Sequence, residues 1–596
     1  MKPNLLHPRG YVALLALAAL VLLPVASGSS FVMHLAIQVC VFAALASAWN
    51  IVGGFAGQLS LGHAVFYGIG SYAAGLLVAR AGITPWLGMF AGVAVSALVA
   101  LVIAYPTLRL RGPFFSLATI AFLEVARLLV NHQESLTGGA AGLNVPLQIG
   151  LKWMIFREKW AYLLVAAGFL LVTLYVSWLV RNSRFGFYLI AVREREDAAR
   201  AVGIDPVRMK VLAAVVSACL TSLVGSFHGM YLTFIEPSAA FSLELSIQIA
   251  MFALIGGLGS VAGPVIGAAI VLPIAELARG WLSTFGNGIH GFVYGLILVV
   301  VVLFFPRGLV GQFSRFVLPL VDRLPDFSRR RVAPPAAAKA AATPSTTLGQ
   351  PILRAEHIEK RFGGLKATND VSLTLHEGEI LGVIGPNGAG KTTVFHQLSG
   401  FLRPDQGVVA IRDAAGQWQR PRSPETFARA GIGRTFQIVQ PFTGLTVLEN
   451  LLLGAFMRAG NRDEAEAIAR GVAELTDLTP LLATEARSLT VGGMKRLEIG
   501  RALATGPRVL LLDEVLAGLN PSDVTRAIAM IRRIRDSGVS VLMIEHLMQA
   551  TMALSDRIIV IHLGQVLRQG LPAEVANDPE VIQAYLGKGY VHVEST

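Results

Sequence analysis

Long apolar stretches punctuate the first half of the chain at Tyr11 to Ser27, Phe31 to Val52, Ser60 to Ala79, Trp86 to Tyr105, Phe114 to Val130, Trp160 to Val180, Val211 to Phe234, Leu245 to Leu254, Ser260 to Ala278 and Gly288 to Phe305. A helix crosses the apolar layer of a bilayer with about 20 residues, so the pattern predicts about ten spans. Leu245 to Leu254 and Ser260 to Ala278 are short and separated by glycines, so both count as short helices or one of them is re-entrant. The first run follows a basic amino end, Lys2 and Arg9, as a signal peptide would. No small-residue cleavage site ends it and further spans follow at once, so it reads as a retained span. From Ser328 to Gln350 the chain becomes SRRRVAPPAAAKAAATPSTTLGQ, an Ala/Pro/Thr-rich stretch with the character of a linker. Beyond it, short β-branched and leucine-rich runs (ILGVIG, VLLLDE, VSVLMIEH, RIIVIHLG) alternate with helical patterns, which predicts a parallel sheet covered by helices. The expected organisation is a membrane domain over 1–320, a linker over 321–350 and an α/β domain over 351–596.

Composition agrees with that division. The 596 residues are 54% hydrophobic and only 15% charged, which excludes a disordered chain and an ordinary soluble one. Of the +12 formal charge, all lies before residue 351, where 24 basic residues face 12 acidic ones, against 26 and 26 afterwards. A basic excess confined to the apolar half marks cytoplasmic loops rather than a nucleic-acid surface. The densest basic loop, Arg181 to Lys210, and the basic linker after the last span are both expected in the cytoplasm, with the amino terminus inside. The two cysteines, Cys40 and Cys219, sit far apart in apolar runs and give neither a disulfide framework nor a metal-ligand spacing.

The chemistry begins at Gly385 to Thr392, GPNGAGKT, placed between the strand-like EILGVI and the helical VFHQLSG. In a strand-loop-helix context, Gly385, Asn387, Gly388 and Gly390 let backbone N–H groups wrap phosphates. Lys391 supplies charge to the β and γ oxygens, Thr392 offers a hydroxyl to Mg²⁺, and Thr393 opens the helix beside it. The strand Val509 to Leu512 ends in Asp513 and Glu514. A carboxylate there can hold Mg²⁺, and the next can orient or deprotonate the attacking water, so Asp513 is the expected metal carboxylate and Glu514 the expected base. An acidic pair at a strand end is ordinarily a solvated terminus; the phosphate loop upstream gives it a function.

The segment SLTVGGMKRLEIGRAL, Ser488 to Leu503, resembles the L-S-G-G-Q signature of ABC-type ATPases. That resemblance implies that Thr490, Gly492 and Gly493 approach ATP held by an opposite subunit, while Val491 and Gly493 depart from the usual pattern. It further implies Phe362 as the aromatic against adenine, Gln437 in GRTFQ as the loop glutamine that also reaches the metal, Ala517 to Asn520 as the D-loop and His546 in MIEH as the switch histidine. Alone, Phe362 would read as core and His546 as a strand-end histidine; their order around the phosphate loop gives them their roles. Val515 stands where the family usually has proline. KRFGGLKATNDVSL, GRTFQIVQPFTGLTVLENLLLG, AGLNPSD and NDPEVIQAYLG further resemble the ATPase subunits of branched-chain amino acid importers.

The membrane half is similar to the permease subunits of those importers, through WNIVGGFAGQLSLGHAVFYGIGSYAAGLL, LRLRGPFFSLATIAFLEVARLL, LTGGAAGL and IGGLGSVAGPVIGA. The resemblance therefore implies a polytopic α-helical permease followed by a P-loop ABC ATPase in one chain. Gly53, Gly54, Gly57 and Gly62, and again Gly256, Gly257, Gly259 and Gly263, interrupt spans in the manner of a translocation path or of tight helix packing. Glu124 and Arg127, three apart within a span, can pair on one helix face. Phe185 to Lys210 resembles the coupling loop of ABC importers, centred on Glu196, Ala198, Ala199 and Gly203. As a whole, the resemblance implies ATP-driven import of a small polar solute, foremost branched-chain amino acids, across the bacterial inner membrane, with ATP and Mg²⁺ as cofactors. It implies a second permease and ATPase, or an identical chain, together with an extracytoplasmic solute-binding protein, and no nucleic acid. Urea, amides or other amino acids are the alternative solutes, and a nucleotide-gated channel is the alternative mechanism.

Overall fold

Nine of the ten apolar stretches are overlaid by helices in the computed structural model, which describes residues 8–107, 113–282, 308–312, 349–413 and 415–586, with two isolated positions at 295 and 303. These helices are α1 (Pro8–Ser27), α2 (Ser30–Asn50), α3 (Ala64–Ala81), α4 (Pro85–Thr107), α5 (Pro113–His132), α6 (Lys159–Asn182), α7 (Pro206–Leu232), α8 (Leu243–Gly256) and α9 (Gly263–Leu282). Among the described residues, seven helical stretches are long and apolar enough to cross a membrane. The apolar parts of α1 and α9 are shorter. The expected tenth span, Gly288 to Phe305, and the linker over 321–348 lie outside the described residues apart from positions 295 and 303. The chain divides into two compact units: residues 1–193 with 206–332, and residues 194–205 with 333–596.

In the first unit, small residues let helices touch backbone to backbone, the contact that replaces hydrophobic attraction where the solvent is itself apolar. Between α3 and α7, the Ser71 hydroxyl donates to the Gly225 carbonyl at 2.8 Å and the Ser226 hydroxyl to the Gly70 carbonyl at 2.9 Å. A methyl on Gly70 would lie 2.0 Å from the Ser222 carbonyl oxygen, and one on Gly225 would lie 2.5 Å from that of Tyr67. The interruptions are close-packed as well: a methyl on Gly54 would lie 2.6 Å from the Gly259 nitrogen, and one on Gly256 would lie 1.7 Å from the Gly263 carbonyl oxygen. At Gly53 and Gly54, α2 widens into a π-helical turn, Ile51–Phe55, as helices do where the regular ladder is disturbed. The second interruption locks onto it: Asn50 donates to the Ser260 carbonyl at 2.9 Å and accepts from the Gly259 N–H at 3.0 Å. The Arg193 guanidinium closes the junction by donating to the Gly54 carbonyl at 2.6 Å. Cys40 in α2 and Cys219 in α7 are both free. Glu124 and Arg127 form the expected pair, with Arg127 Nε donating to Glu124 Oε2 at 3.0 Å on the outward face of α5.

In the second unit, the leucine-rich and β-branched runs become β3 (Ile380–Ile384), β6 (Val509–Asp513), β7 (Ser540–Ile544) and β8 (Arg557–His562). The first three are buried at every position, as a sheet covered on both faces requires. Together with β5 (Ile432–Arg434) and β9 (Gln565–Gly570) they form a sheet in the order β9-β8-β3-β7-β6-β5, parallel except for β9. A second, antiparallel sheet runs β2-β1-β4, from Leu365–His376, Pro351–Phe362 and Gln406–Arg412, with the short strand Trp418–Gln419 paired to β4 as its fourth member. The helices that matter for the site are α10 (Lys391–Leu398), α11 (Val491–Ala504) and α12 (Pro521–Asp536).

Gly256→Ala would place a methyl 1.7 Å from the Gly263 carbonyl oxygen. We expect it to destabilise the chain by about 1–3 kcal/mol, read as a lower thermal unfolding midpoint in detergent. Gly168→Ala, where nothing lies within 4 Å, is expected to leave the midpoint unchanged or raise it.

Candidate functional site

Parallel sheets gather functional groups at the carboxyl ends of their strands, and the loop after β3 is the first to arrive there. Gly385, Gly388 and Gly390 all have positive φ. A methyl on Gly385 would lie 2.1 Å from the Ile561 carbonyl oxygen, and one on Gly390 would lie 2.3 Å from that of Ala367. Glycine is therefore required for the loop to turn into α10. Asn387 and Gly388 are exposed, as is Thr392, with Thr393 half-buried beside it. Lys391 opens the helix, and its ammonium donates to the carbonyls of Gly385 at 2.7 Å and Pro386 at 3.0 Å. Burial lowers its pKa, while Glu514 and Asp513 act in the opposite direction.

Asp513 ends β6 and lies beside Ile544 of β7 in the ladder. It is buried, and burial pushes its pKa up to about 6. Glu514 follows in a left-handed conformation, φ 47°, which costs a residue other than glycine about 1–2 kcal/mol. Its carboxylate meets His546 Nε2 at 3.0 Å through Oε1 and accepts from Gln437 Nε2 at 3.0 Å through Oε2. Two residues from separate loops thus converge on the carboxylate of a third. Among the described residues, no hydrogen bond links Phe362, Thr490, Gly492 or Gly493 to Lys391, Asp513 or Glu514. Phe362 ends β1 with half its surface exposed. The Thr490 hydroxyl caps α11 by accepting from the Gly493 N–H at 3.2 Å, which leaves its own proton to donate elsewhere. Gly492 brings α11 close to Asp523 of α12, since a methyl there would lie 3.3 Å from that carboxylate. Val515, in place of the usual proline, is buried among apolar neighbours.

Mg²⁺ prefers one or two carboxylates supplemented by substrate phosphates over an all-protein cage. The donor set fits this: Asp513 is a buried carboxylate that a neighbouring cation would keep ionised, with the Thr392 hydroxyl and the Gln437 amide as neutral oxygens. Among the described residues there is no cluster of three or more acidic, histidine or cysteine side chains that could hold a metal unaided.

The segment 194–205 belongs to this unit. Glu196–Ala201 forms a short helix with Ala198 and Ala199 buried, and Gly203 at φ 80° terminates it. The Arg429 guanidinium donates to the Gly203 carbonyl at 3.0 Å. The Glu194 carboxylate accepts from the Gly444 N–H at 3.2 Å and 3.3 Å. A methyl on Gly203 would lie 2.6 Å from the Met457 sulfur, so the fit allows no side chain there.

Several functional neighbours were not anticipated from the sequence. Arg434 is buried against the rings of Phe395, Phe401 and Phe436, its carbon 4.5–4.9 Å from their centroids, and donates to the Ser399 hydroxyl at 2.7 Å. Burial brings its pKa down to about 10. Lys495, Glu498, Arg501 and Glu545 are also buried, and burial raises the Glu545 carboxyl to about 7. For Glu545 the available signal was a charge at the end of the apolar run VSVLMI; the helix bearing Lys495, Glu498 and Arg501 gave none.

Residues 31–302 match the family model for the branched-chain amino acid transport system permease component. Residues 368–517 match that of the ABC transporter, and residues 567–591 that of the branched-chain amino acid ATP-binding cassette transporter. The high-affinity branched-chain amino acid transport ATP-binding protein LivG of Salmonella typhimurium is 40% identical over 257 residues, covering 40% of this chain and 100% of that protein. The corresponding BraF of Pseudomonas aeruginosa is 39% identical over 258 residues, with the same coverage. The crystal structure of a nucleotide-free ATP-binding cassette from an ABC transporter is 32% identical, covers 40% of this chain and 100% of its own, and has a TM-score of 0.37. The chain belongs to the branched-chain amino acid family of ABC transporters, joining a multi-pass permease part and an ATP-binding part in one polypeptide. ATP hydrolysis in the second part is coupled to transport.

Thr490→Ala removes the cap of α11. It is expected to cost about 1 kcal/mol of stability, seen in urea unfolding of the full chain, whereas Thr490→Ser keeps the cap and the stability.

Proposed function

We propose that this chain imports branched-chain amino acids across the bacterial inner membrane, driven by ATP bound at Lys391 and hydrolysed with Glu514 as the base. The observation that carries the reading is the convergence of Gln437 and His546 on the Glu514 carboxylate beside the phosphate loop. The two neighbours each hold one oxygen and so fix the carboxylate's orientation, leaving its remaining lone pairs to accept from the reacting water. Gly385, Asn387, Gly388, Gly390, Thr392 and Thr393 cradle the phosphates, and Phe362 lies against adenine. Thr392, Gln437 and Asp513 would hold Mg²⁺, which supplies charge neutralisation of the β and γ oxygens. His546 donates to the γ-phosphate and holds Glu514 in place.

Thr490, Gly492 and Gly493 serve the ATP of a partner subunit, either an identical chain or a second ATPase, so dimerisation is part of the chemistry. The outward-facing Glu124 and Arg127 pair on α5 supports a protein neighbour in the membrane, since charge facing lipid is costly. Glu196, Ala198, Ala199 and Gly203 form the coupling element; the bonds of Glu194 to Gly444 and of Gly203 to Arg429, both in the ATPase fold, support transmission from the nucleotide site. The ATPase part faces the cytoplasm, and an extracytoplasmic solute-binding protein delivers the substrate.

Reconstituted with its solute-binding protein, the chain is expected to accumulate radiolabelled leucine, isoleucine or valine against a gradient. Glu514→Gln is expected to abolish uptake while keeping ATP binding. Uptake only of urea, amides or another amino acid would keep the importer and overturn the solute; dissipation of a gradient without accumulation would indicate a gated channel.

A further inference from the structure

The helix that begins at the signature residues carries three buried charges on successive turns, and each reaches out of the helix to the backbone of a catalytic loop. Lys495, 8% exposed, donates to the backbone carbonyl of Glu514 at 3.0 Å and to that of Ala517. Glu498, 2% exposed, accepts from the N–H of Gln440 at 3.0 Å and from that of Phe436 at 3.4 Å. Arg501 donates to the Gln440 carbonyl at 2.7 Å, lies 3.6 Å from Glu498 and stacks over the Phe442 ring. Glu498 and Arg501 therefore grip both ends of the loop that carries Gln437, while Lys495 grips the turn that carries Glu514. The two loops then meet head to head through the Gln437 and Glu514 side chains.

Buried charges of this kind carry a desolvation penalty that only specific partners offset. All three spend their hydrogen bonds on backbone groups of the two catalytic loops, where an apolar helix face would have filled the same space. We propose that Lys495, Glu498 and Arg501 are positioning residues that make α11 a rigid spine, holding the Gln437 loop and the Glu514 turn in the register that catalysis needs. The proposal rests on Glu514 being the base. Because α11 starts at Thr490, engagement of the signature and placement of Glu514 become movements of one body. Lys495 acts through backbone carbonyls of the Glu514 turn, so it governs turnover and leaves nucleotide affinity alone.

The test measures hydrolysis against ATP concentration for the full-length chain in lipid nanodiscs with its co-purifying subunits. Lys495→Met is expected to lower kcat about ten-fold with the KM for ATP within about two-fold, and Lys495→Arg to restore most of the rate. Glu498→Gln, which keeps the shape but loses one full acceptor charge, is expected to give a smaller fall in kcat, again at constant KM, and serves if Lys495→Met does not fold. A kcat unchanged in both variants, a loss in which KM rises in proportion, or failure of Lys495→Arg to restore would overturn the proposal. Glu514→Gln run alongside separates the levels: wild-type hydrolysis in that variant would remove the underlying assignment of the base.

Discussion

One backbone conformation underlies the nucleotide site. Glu514 occupies left-handed space that a residue with a side chain enters only under constraint, and the constraint comes from outside its own strand. Its N–H donates to the Ile544 carbonyl of the neighbouring strand at 2.9 Å, and its carbonyl accepts from Lys495. Two residues on, the Leu516 N–H donates to Glu545 at 2.7 Å. Strained residues persist where surroundings overdetermine them, and here the reward is a carboxylate turned toward Gln437 and His546 instead of along the strand. Asp513 needs no such device, because the sheet itself delivers it to the strand end.

The membrane part obeys a related rule with other materials. Where the catalytic loops are fixed by charged side chains reaching backbone carbonyls and N–H groups, the spans are fixed by missing side chains that let one backbone reach another. Gly54 and Gly256 are filled positions in this sense: the carbonyl or amide of a neighbouring segment occupies the space a methyl would take. Arg193 joins the two idioms, a charged side chain bonded to the carbonyl that the Gly53 and Gly54 turn exposes.

Much of this was legible beforehand. Apolar run length located the spans, with helices starting within a few residues of the runs, because burial in lipid imposes length directly. The phosphate loop and the Asp513 and Glu514 pair were readable because their chemistry depends on local spacing. The antiparallel sheet of β1, β2 and β4 was not anticipated, since its strands mix polar and apolar positions and pair with partners remote in sequence. Lys495 and Glu498 were invisible for the same reason: a lysine or glutamate on a helix ordinarily points to water, and nothing in MKRLEIG tells that this helix is buried on the side where they lie. The role of the glycines could be narrowed to packing or a pathway but not decided, because close approach is a property of two segments and the sequence displays one at a time.

The placement of the two thiols has a practical consequence. Both Cys40 and Cys219 lie within apolar helices, the former wholly enclosed. A water-soluble maleimide would meet little native background, so a single cysteine introduced at an exposed position such as Ile438, beside Gln437, would report on the motion of that loop during turnover from an otherwise silent molecule.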